Sequence, residues 1–257
     1  MLKHNTIDTH IHLFNYDGPI KQKFSFNNYI GFLDIEFDKD GNDIKAYDDF
    51  ISNYYDEEKH ILLATAKTVE DIESIFNKHK SIIKGFGELK LYDKYLGEKM
   101  PYKKISILRS VCDLSSKNGN LPVYVHWELV TSRDVELFEN VLKKYSNVPI
   151  VLCHCGMNGD NNLFAHSQCI RLQHIYSNLW VDVSYKAVDH YYESPMKLFN
   201  LSTDRILIGS DLNCKIFGPS HTDDERLEIY KKVRVIRSYI ASDRNACRLF
   251  NIKETLN

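Results

Sequence analysis

Short β-type runs alternate along the chain with longer stretches whose apolar positions fall at helical spacing. Strands are predicted over 6–14 (TIDTHIHLF), 29–37 (YIGFLDIEF), 60–66 (HILLATA) and 82–90 (IIKGFGELK). Further strands are predicted over 121–127 (LPVYVHW), 148–154 (VPIVLCH), 179–185 (LWVDVSY) and 205–211 (RILIGSD). The spacing predicts helices over 69–80, 102–117 and 132–146, and two more after 224, joined near Ala241-Ser242-Asp243. Strand alternating with helix implies a parallel sheet. Eight strands point to a closed (β/α)8 TIM barrel more than to an open doubly wound sheet. A length of 257 residues suits one barrel, so 1–257 is expected to form a single domain. The stretch 15–58 is aromatic, acidic and less regular, and is expected near the barrel mouth as a lid or pocket wall. Within it, Asp38-Lys39-Asp40-Gly41-Asn42-Asp43 resembles the start of a calcium loop. Its sixth position is Asp43 where such a loop needs glycine, so a surface turn is the better reading.

Composition narrows the function classes. The apolar share is 43% and the charged share 26%, and the net charge of −2 offers no basic field for nucleic acid. No apolar run has the length of a membrane span. Polar residues interrupt the N-terminus, which lacks a signal-peptide core, so a cytoplasmic location is expected. The six cysteines form no C-x-x-C pair and read as small buried hydrophobes.

The polar residues at strand ends carry the chemistry. Strict alternation places Asp8, His10 and His12 on one strand face, where two imidazoles can converge on one ion. His126 closes LPVYVHW, His154 closes VPIVLCH, and Asp211 closes RILIGSD. A lone histidine at a strand end is more often a hydrogen-bonded core residue, and a lone H-x-H pair often occurs by chance. In a parallel barrel, however, all these ends fall on one rim, and a carboxylate after an apolar strand is costly unless paired or coordinated. Their coincidence favours a metal site at this rim, with His10, His12, His126, His154 and Asp211 as the ligand-type residues. Asp8 is the candidate to hold a ligand histidine's second ring nitrogen. Glu88 and Lys90 close another strand at the same rim. They read equally well as ligand, bridging group, substrate contact or a mouth salt bridge. With His154 facing the pocket, Cys153 is expected to face the helix layer. Tyr185 and Lys186 are placed to touch substrate, although exposed loop residues are the default. His4, His60, His79, His166, His174, His190 and His221 have no supporting context.

The segments IDTHIHLF, LPVYVH, IVLCHCG, LWVDVSY, ILIGSD and NACRLFNI resemble the amidohydrolase superfamily. The chain is most similar to its branch of mononuclear hydrolases, lactonases and nonoxidative decarboxylases. The resemblance implies a divalent ion, first taken as zinc, with one ion favoured and two possible. It implies that His10 and His12 are the first-strand metal pair and that His126 is the fifth-strand ligand. By the same resemblance His154 binds substrate or moves protons, and Asp211 binds metal and takes the proton of the attacking water. Cys155-Gly156 stands where the family often has a glycine pair. Lys90 stands as a candidate for the carboxylated bridge of binuclear members, or Glu88 for the bridge of TatD-type nucleases.

The expected activity is hydrolysis of a small-molecule amide, ester or lactone by a metal-activated water, with Asp211 and His154 catalytic. The first alternative is a metal-dependent decarboxylase of the same fold, and the second a TatD-like nuclease. A non-catalytic binding barrel ranks last. The expected partner is a small-molecule substrate, with no membrane. Substrate identity and oligomeric state are not legible in the sequence.

Overall fold

The computed structural model describes residues 7–15, 18–19, 28–33, 43–91, 101–157, 162–212 and 223–252. Nine strands form one sheet: β1 (Ile7–Asn15), β2 (Gly18–Pro19), β3 (Asn28–Leu33), β4 (His60–Ala64), β5 (Ile83–Lys90), β6 (Val123–His126), β7 (Ile150–Leu152), β8 (Leu179–Val183) and β9 (Ile206–Ile208). The two-residue β2 pairs antiparallel with β1. The other eight run parallel in the order β1-β3-β4-β5-β6-β7-β8-β9.

The ends of this order meet. Ile11 bridges Leu212 in parallel, Asp211 N donates to His10 O at 2.8 Å, and His12 N donates to Leu212 O at 3.1 Å. Gly209 permits the approach: a Cβ there would lie 2.4 Å from His10 N and 2.5 Å from His10 Cβ. The closed ring is the predicted (β/α)8 barrel.

Eight helices are described: α1 (Asp43–Asn53), α2 (Val69–Lys78), α3 (Pro101–Lys117), α4 (Ser132–Lys144), α5 (Asn162–Ile175), α6 (Lys186–Glu193), α7 (Asp223–Arg237) and α8 (Ser242–Leu249). The sequence explains where two of them start. Thr68 caps α2 by accepting from Asp71 N, and Thr131 and Asp134 form a reciprocal capping box on α4. Each then buries one stripe against the sheet: Ile72, Ile75 and Phe76 from α2, and Val135, Phe138, Val141 and Leu142 from α4. Such side chains contribute about 2 kcal/mol each when fully buried.

Alternation along the strands divides the core. Leu62, Val123, Val125, Ile150, Leu152, Val181, Ile206 and Ile208 face the helices. Ile7, Ile61, Leu63, Tyr124, Val151, Cys153, Trp180 and Leu207 fill the barrel interior, closed by Ala246 and Leu249 of α8. Helix α8 is tied to the barrel's lower end by Asp243 Oδ1, which accepts from Ile7 N at 2.6 Å, and by Ser242 Oγ, which accepts from Ile208 N at 2.8 Å. The upper end, where the strands finish, is left to polar residues.

The strand expected over 29–37 is present as β3 (Asn28–Leu33), and helix α1 lies in the same segment 15–58; the calcium-like stretch before Asp43 lies outside the described residues. Two expectations are corrected. Cys153 packs in the barrel interior and not toward the helices. The strands predicted to end at 154 and 211 end at Leu152 and Ile208.

Candidate active site

Strand β1 does not keep strict alternation. Its register against β3 shifts between Asp8 and Ile11, as at a β-bulge. Thr9 and His10 consequently both reach Asp182: Thr9 Oγ1 donates to Oδ1 at 3.4 Å, and His10 Nδ1 lies 2.8 Å from Oδ2. Asp8 turns away from the site. It accepts from Ser210 N at 2.9 Å, Ser210 Oγ at 2.6 Å and His10 N at 3.2 Å. Asp8 therefore anchors the β9 end, and Asp182 has the role expected of Asp8. Burial pushes the Asp8 carboxyl up to about 6, against the lowering effect of its hydrogen bonds from Ser210 and His10.

His154 reaches the site by a different route. Alternation in β7 turns Val151 and Cys153 inward and would send residue 154 outward. The chain instead leaves the strand in a 3-10 turn, with His154 at φ 54° and Cys155 at φ 55°. Two left-handed residues in succession are uncommon outside glycine. They rotate the imidazole back over the barrel mouth, while Cys155 Sγ donates to Asp182 O at 3.7 Å. Asp211, also left-handed at φ 55°, performs the corresponding turn after β9.

Glu88 is the hub. Its Oε2 lies 3.8 Å from both His10 Nε2 and His12 Nε2. Its Oε1 lies 3.0 Å from His126 Nδ1 and 3.4 Å from His154 Nε2. Asp211 faces it, with Oδ1 3.2 Å from His10 Nε2 and 3.1 Å from His12 Nε2, and Oδ2 3.9 Å from His154 Nε2. Three groups could grip an ion: His10, His12 and Asp211; His10, His154 and Asp182; and Glu88, His126 and His154. His126 thus joins His154 and Glu88, while His10, His12 and Asp211 form their own cluster. Lys90, half-buried, stands opposite His126 in the β5–β6 register. The Tyr185 ring meets His154 edge-on at 5.7 Å, with Lys186 Nζ 5.3 Å from the Tyr185 ring centre.

The pocket demands positive charge. Burial works against the charged form of His10, yet the Asp182 and Asp211 carboxylates hold its pKa well above the usual value. Burial also opposes charge on Glu88, but bonds with His126 and His154 and the field of His10 hold it well below the carboxylate range. Asp211 is lowered in the same way, with burial overcome chiefly by His10 and His154. His126 moves downward, mainly through burial.

The donor set fits a divalent ion. With Nδ1 donating to Asp182, His10 turns Nε2 toward oxygens of Asp211 and Glu88. Carboxylates converging on that nitrogen call for positive charge there, carried by the ring proton or, in its place, by a metal ion. Ligand atoms around tetrahedral zinc, with bonds of roughly 2.0–2.1 Å, stand about 3.3 Å apart. The separations from 3.0 to 3.9 Å found here match that spread.

Asp182 and Ser184 are the functional residues that the sequence reading passed over. The available signal was an acidic residue inside LWVDV, where an unpaired buried carboxylate is untenable.

Residues 116–234 match the sequence pattern of the amidohydrolase family. The curated proteins yield no match at the sequence level. Among solved structures, the chain resembles a probable 2-pyrone-4,6-dicarboxylic acid hydrolase of Acinetobacter baumannii with citric acid bound. The TM-score is 0.63 at 16% identity, over 97% of this chain and 100% of that one. An amidohydrolase of Burkholderia multivorans with bound zinc gives 0.61 at 12% identity, over 96% and 99%. A TatD-family hydrolase of Entamoeba histolytica gives 0.62 at 14% identity, over 97% and 99%. At such identities the structural likeness speaks for the fold, while the sequence match relates residues 116–234 to the family. The chain thus has the barrel fold of these hydrolases, matches the amidohydrolase family over 116–234, and gathers histidines and carboxylates at its upper rim.

Proposed function

We propose that the enzyme hydrolyses a small-molecule amide, ester or lactone, using a divalent ion held by His10, His12, Asp211 and Glu88. The observation that carries this reading is the convergence of these four side chains, from β1, β5 and the β9 end, at ligand-like separations. Bound there, the ion supplies Lewis acidity and makes water a nucleophile near neutral pH. Asp211, held as a carboxylate, takes the proton of the attacking water as general base. His154 stands 3.9 Å from Asp211 Oδ2 and is placed to stabilise the oxyanion or protonate the leaving group. Tyr185 forms one wall of the pocket beside it.

A second reading concerns the ion count. Glu88 belongs to both donor sets, with Oε2 toward His10 and His12 and Oε1 toward His126 and His154. That placement favours Glu88 over Lys90 as a bridge and supports room for a second ion beside His126 and His154. The proposed partner is a small molecule, because a net charge of −2 does not favour nucleic acid. A cytoplasmic location is proposed because Cys112, Cys153, Cys155 and Cys169 are buried free thiols. No described helix is long and apolar enough to cross a membrane.

The test is metal analysis of purified protein, followed by turnover of a panel of lactones, esters and amides, with and without carboxylate substituents. Metal at one or two equivalents and hydrolysis lost on chelation are expected. Release of CO2 without incorporation of solvent oxygen would replace the hydrolase with a decarboxylase. Cleavage of DNA at low salt would replace it with a nuclease.

A further inference from the structure

Ser184 lies one residue beyond β8, fully buried, two positions after Asp182. Its hydroxyl has one proton to give and two close partners. One is Asp182 Oδ2, to which it makes a short hydrogen bond; the other is His154 Nδ1 at 2.8 Å. A carboxylate only accepts, so the hydroxyl proton goes to Asp182. The His154 contact then has to run the other way, with Nδ1–H donating to Ser184 Oγ. The same Asp182 oxygen takes the Nδ1–H of His10 at 2.8 Å, and Thr9 Oγ1 donates to the other oxygen at 3.4 Å.

We propose that Ser184 is a positioning residue that relays to His154 the Nδ1 proton placement that Asp182 imposes on His10, so that one buried carboxylate sets the ring orientation of two imidazoles from distant segments. This rests on the hydrolase reading only for its catalytic consequence; the relay itself is a property of the protein without metal or substrate. Both histidines thereby place Nδ1–H on this network, with Nε2 turned into the cavity and, for His154, bearing the lone pair. For His154 that lone pair faces the space it shares with Glu88 Oε1 at 3.4 Å and Asp211 Oδ2 at 3.9 Å. Without the hydroxyl, the better-satisfied state of His154 is the opposite tautomer, with Nε2–H donating to Glu88. Its lone pair would then point away from the reaction space.

The experiment is 15N NMR of histidine-labelled, metal-free protein at about pH 8, where an unperturbed imidazole is neutral. His154 is assigned by the signal absent from His154→Gln. The wild type is expected to show His154 as the Nδ1–H tautomer. Ser184→Ala and Ser184→Cys are expected to move it to Nε2–H, and Ser184→Thr, which keeps the hydroxyl, to restore the wild-type pattern. On the active enzyme, Ser184→Ala is expected to lower kcat about 10–100-fold with KM within about twofold, as for other outer partners of site histidines. Retention of the Nδ1–H tautomer in both Ser184→Ala and Ser184→Cys overturns the relay. Loss of the hydrolase reading leaves the tautomer result standing, because no turnover enters it.

Discussion

His10 Nδ1 sits 2.8 Å from Asp182 Oδ2, both side chains fully buried, tying the first barrel strand to β8 across 172 positions of sequence. The contact fixes which ring nitrogen of His10 faces the cavity. Asp182→Asn replaces an obligate acceptor with a group that both donates and accepts, and frees the imidazole to invert. The fold is expected to survive, because the amide retains the volume and most of the hydrogen bonds. Metal affinity is expected to fall about 10–100-fold, read by competition with a chromophoric chelator. Unchanged affinity in a folded variant would remove Asp182 from the ligand support.

Asp211→Asn tests the assigned base. The left-handed backbone at φ 55° is one that asparagine also adopts, so the β9 turn and barrel closure are expected to remain. Turnover is expected to drop by about 10²–10⁴ with a near-unchanged melting temperature. Turnover near the wild-type level would assign the base elsewhere. Metal content measured in parallel separates a lost ligand from a lost base.

Glu88→Gln addresses the hub. Glutamine keeps one acceptor oxygen but gives up the charge that answers His10, His126 and His154. If Glu88 bridges two donor sets, the second equivalent of metal is expected to disappear first while the first weakens. Metal titration by calorimetry reads the two separately, and a single undisturbed binding event would rule out the bridge.

The barrel was legible because its two periodicities are clean. Strands such as VYVH and LWVDV alternate between interior and helix layer, and α2 and α4 carry single apolar stripes behind good caps. Helix α5 was not legible, because Leu163 (76% exposed) and Ile175 (55% exposed) put apolar residues on its wet side and blur the stripe. The site was legible at the strand ends, where His126, His154 and Asp211 stand out against apolar runs. Its finer arrangement was hidden by departures from alternation. The β1 bulge took Asp8 out of its expected role, which Asp182 fills, and the left-handed pair His154-Cys155 returned a histidine that the strand phase would have sent outward. Both are backbone events set by tertiary contacts, on which a two-residue period is silent.

Gly209→Ala tests the closure. The added Cβ would meet backbone and Cβ of His10 at 2.4–2.5 Å, and no flexible side chain is there to yield. Strand β9 would have to withdraw from β1, straining the Asp211 N–His10 O and His12 N–Leu212 O bonds. The expected cost is about 3 kcal/mol, at the upper end for overpacking, read as a lower urea midpoint. Metal affinity should fall with it, since His10 and Asp211 are both displaced. A variant of wild-type stability would show that the strands do not meet as described.

Two histidines away from the site set an acid limit on stability. Burial holds His60 down to about 4, partly offset by Asp56, and its Nδ1 accepts a hydrogen bond from Asp56 N at 3.0 Å that protonation would break. His166 is also held down to about 4, first by burial and then by the nearby charges of His190 and Lys197. In the unfolded chain both titrate near ~6.5. Between these values the unfolded state binds more protons, so stability rises with pH in that window and is lost as pH falls from about 6.5 toward about 4. His10, held well above the usual value, acts in the opposite sense, as does Asp8, pushed up to about 6. Total stability therefore mixes the effects, whereas a comparison of variants isolates them. The double variant His60→Gln, His166→Gln is expected to lose less stability than the wild type when urea midpoints at about pH 7.5 and about pH 5 are compared. Equal losses in the two proteins would mean that neither histidine stays neutral through that range in the folded state.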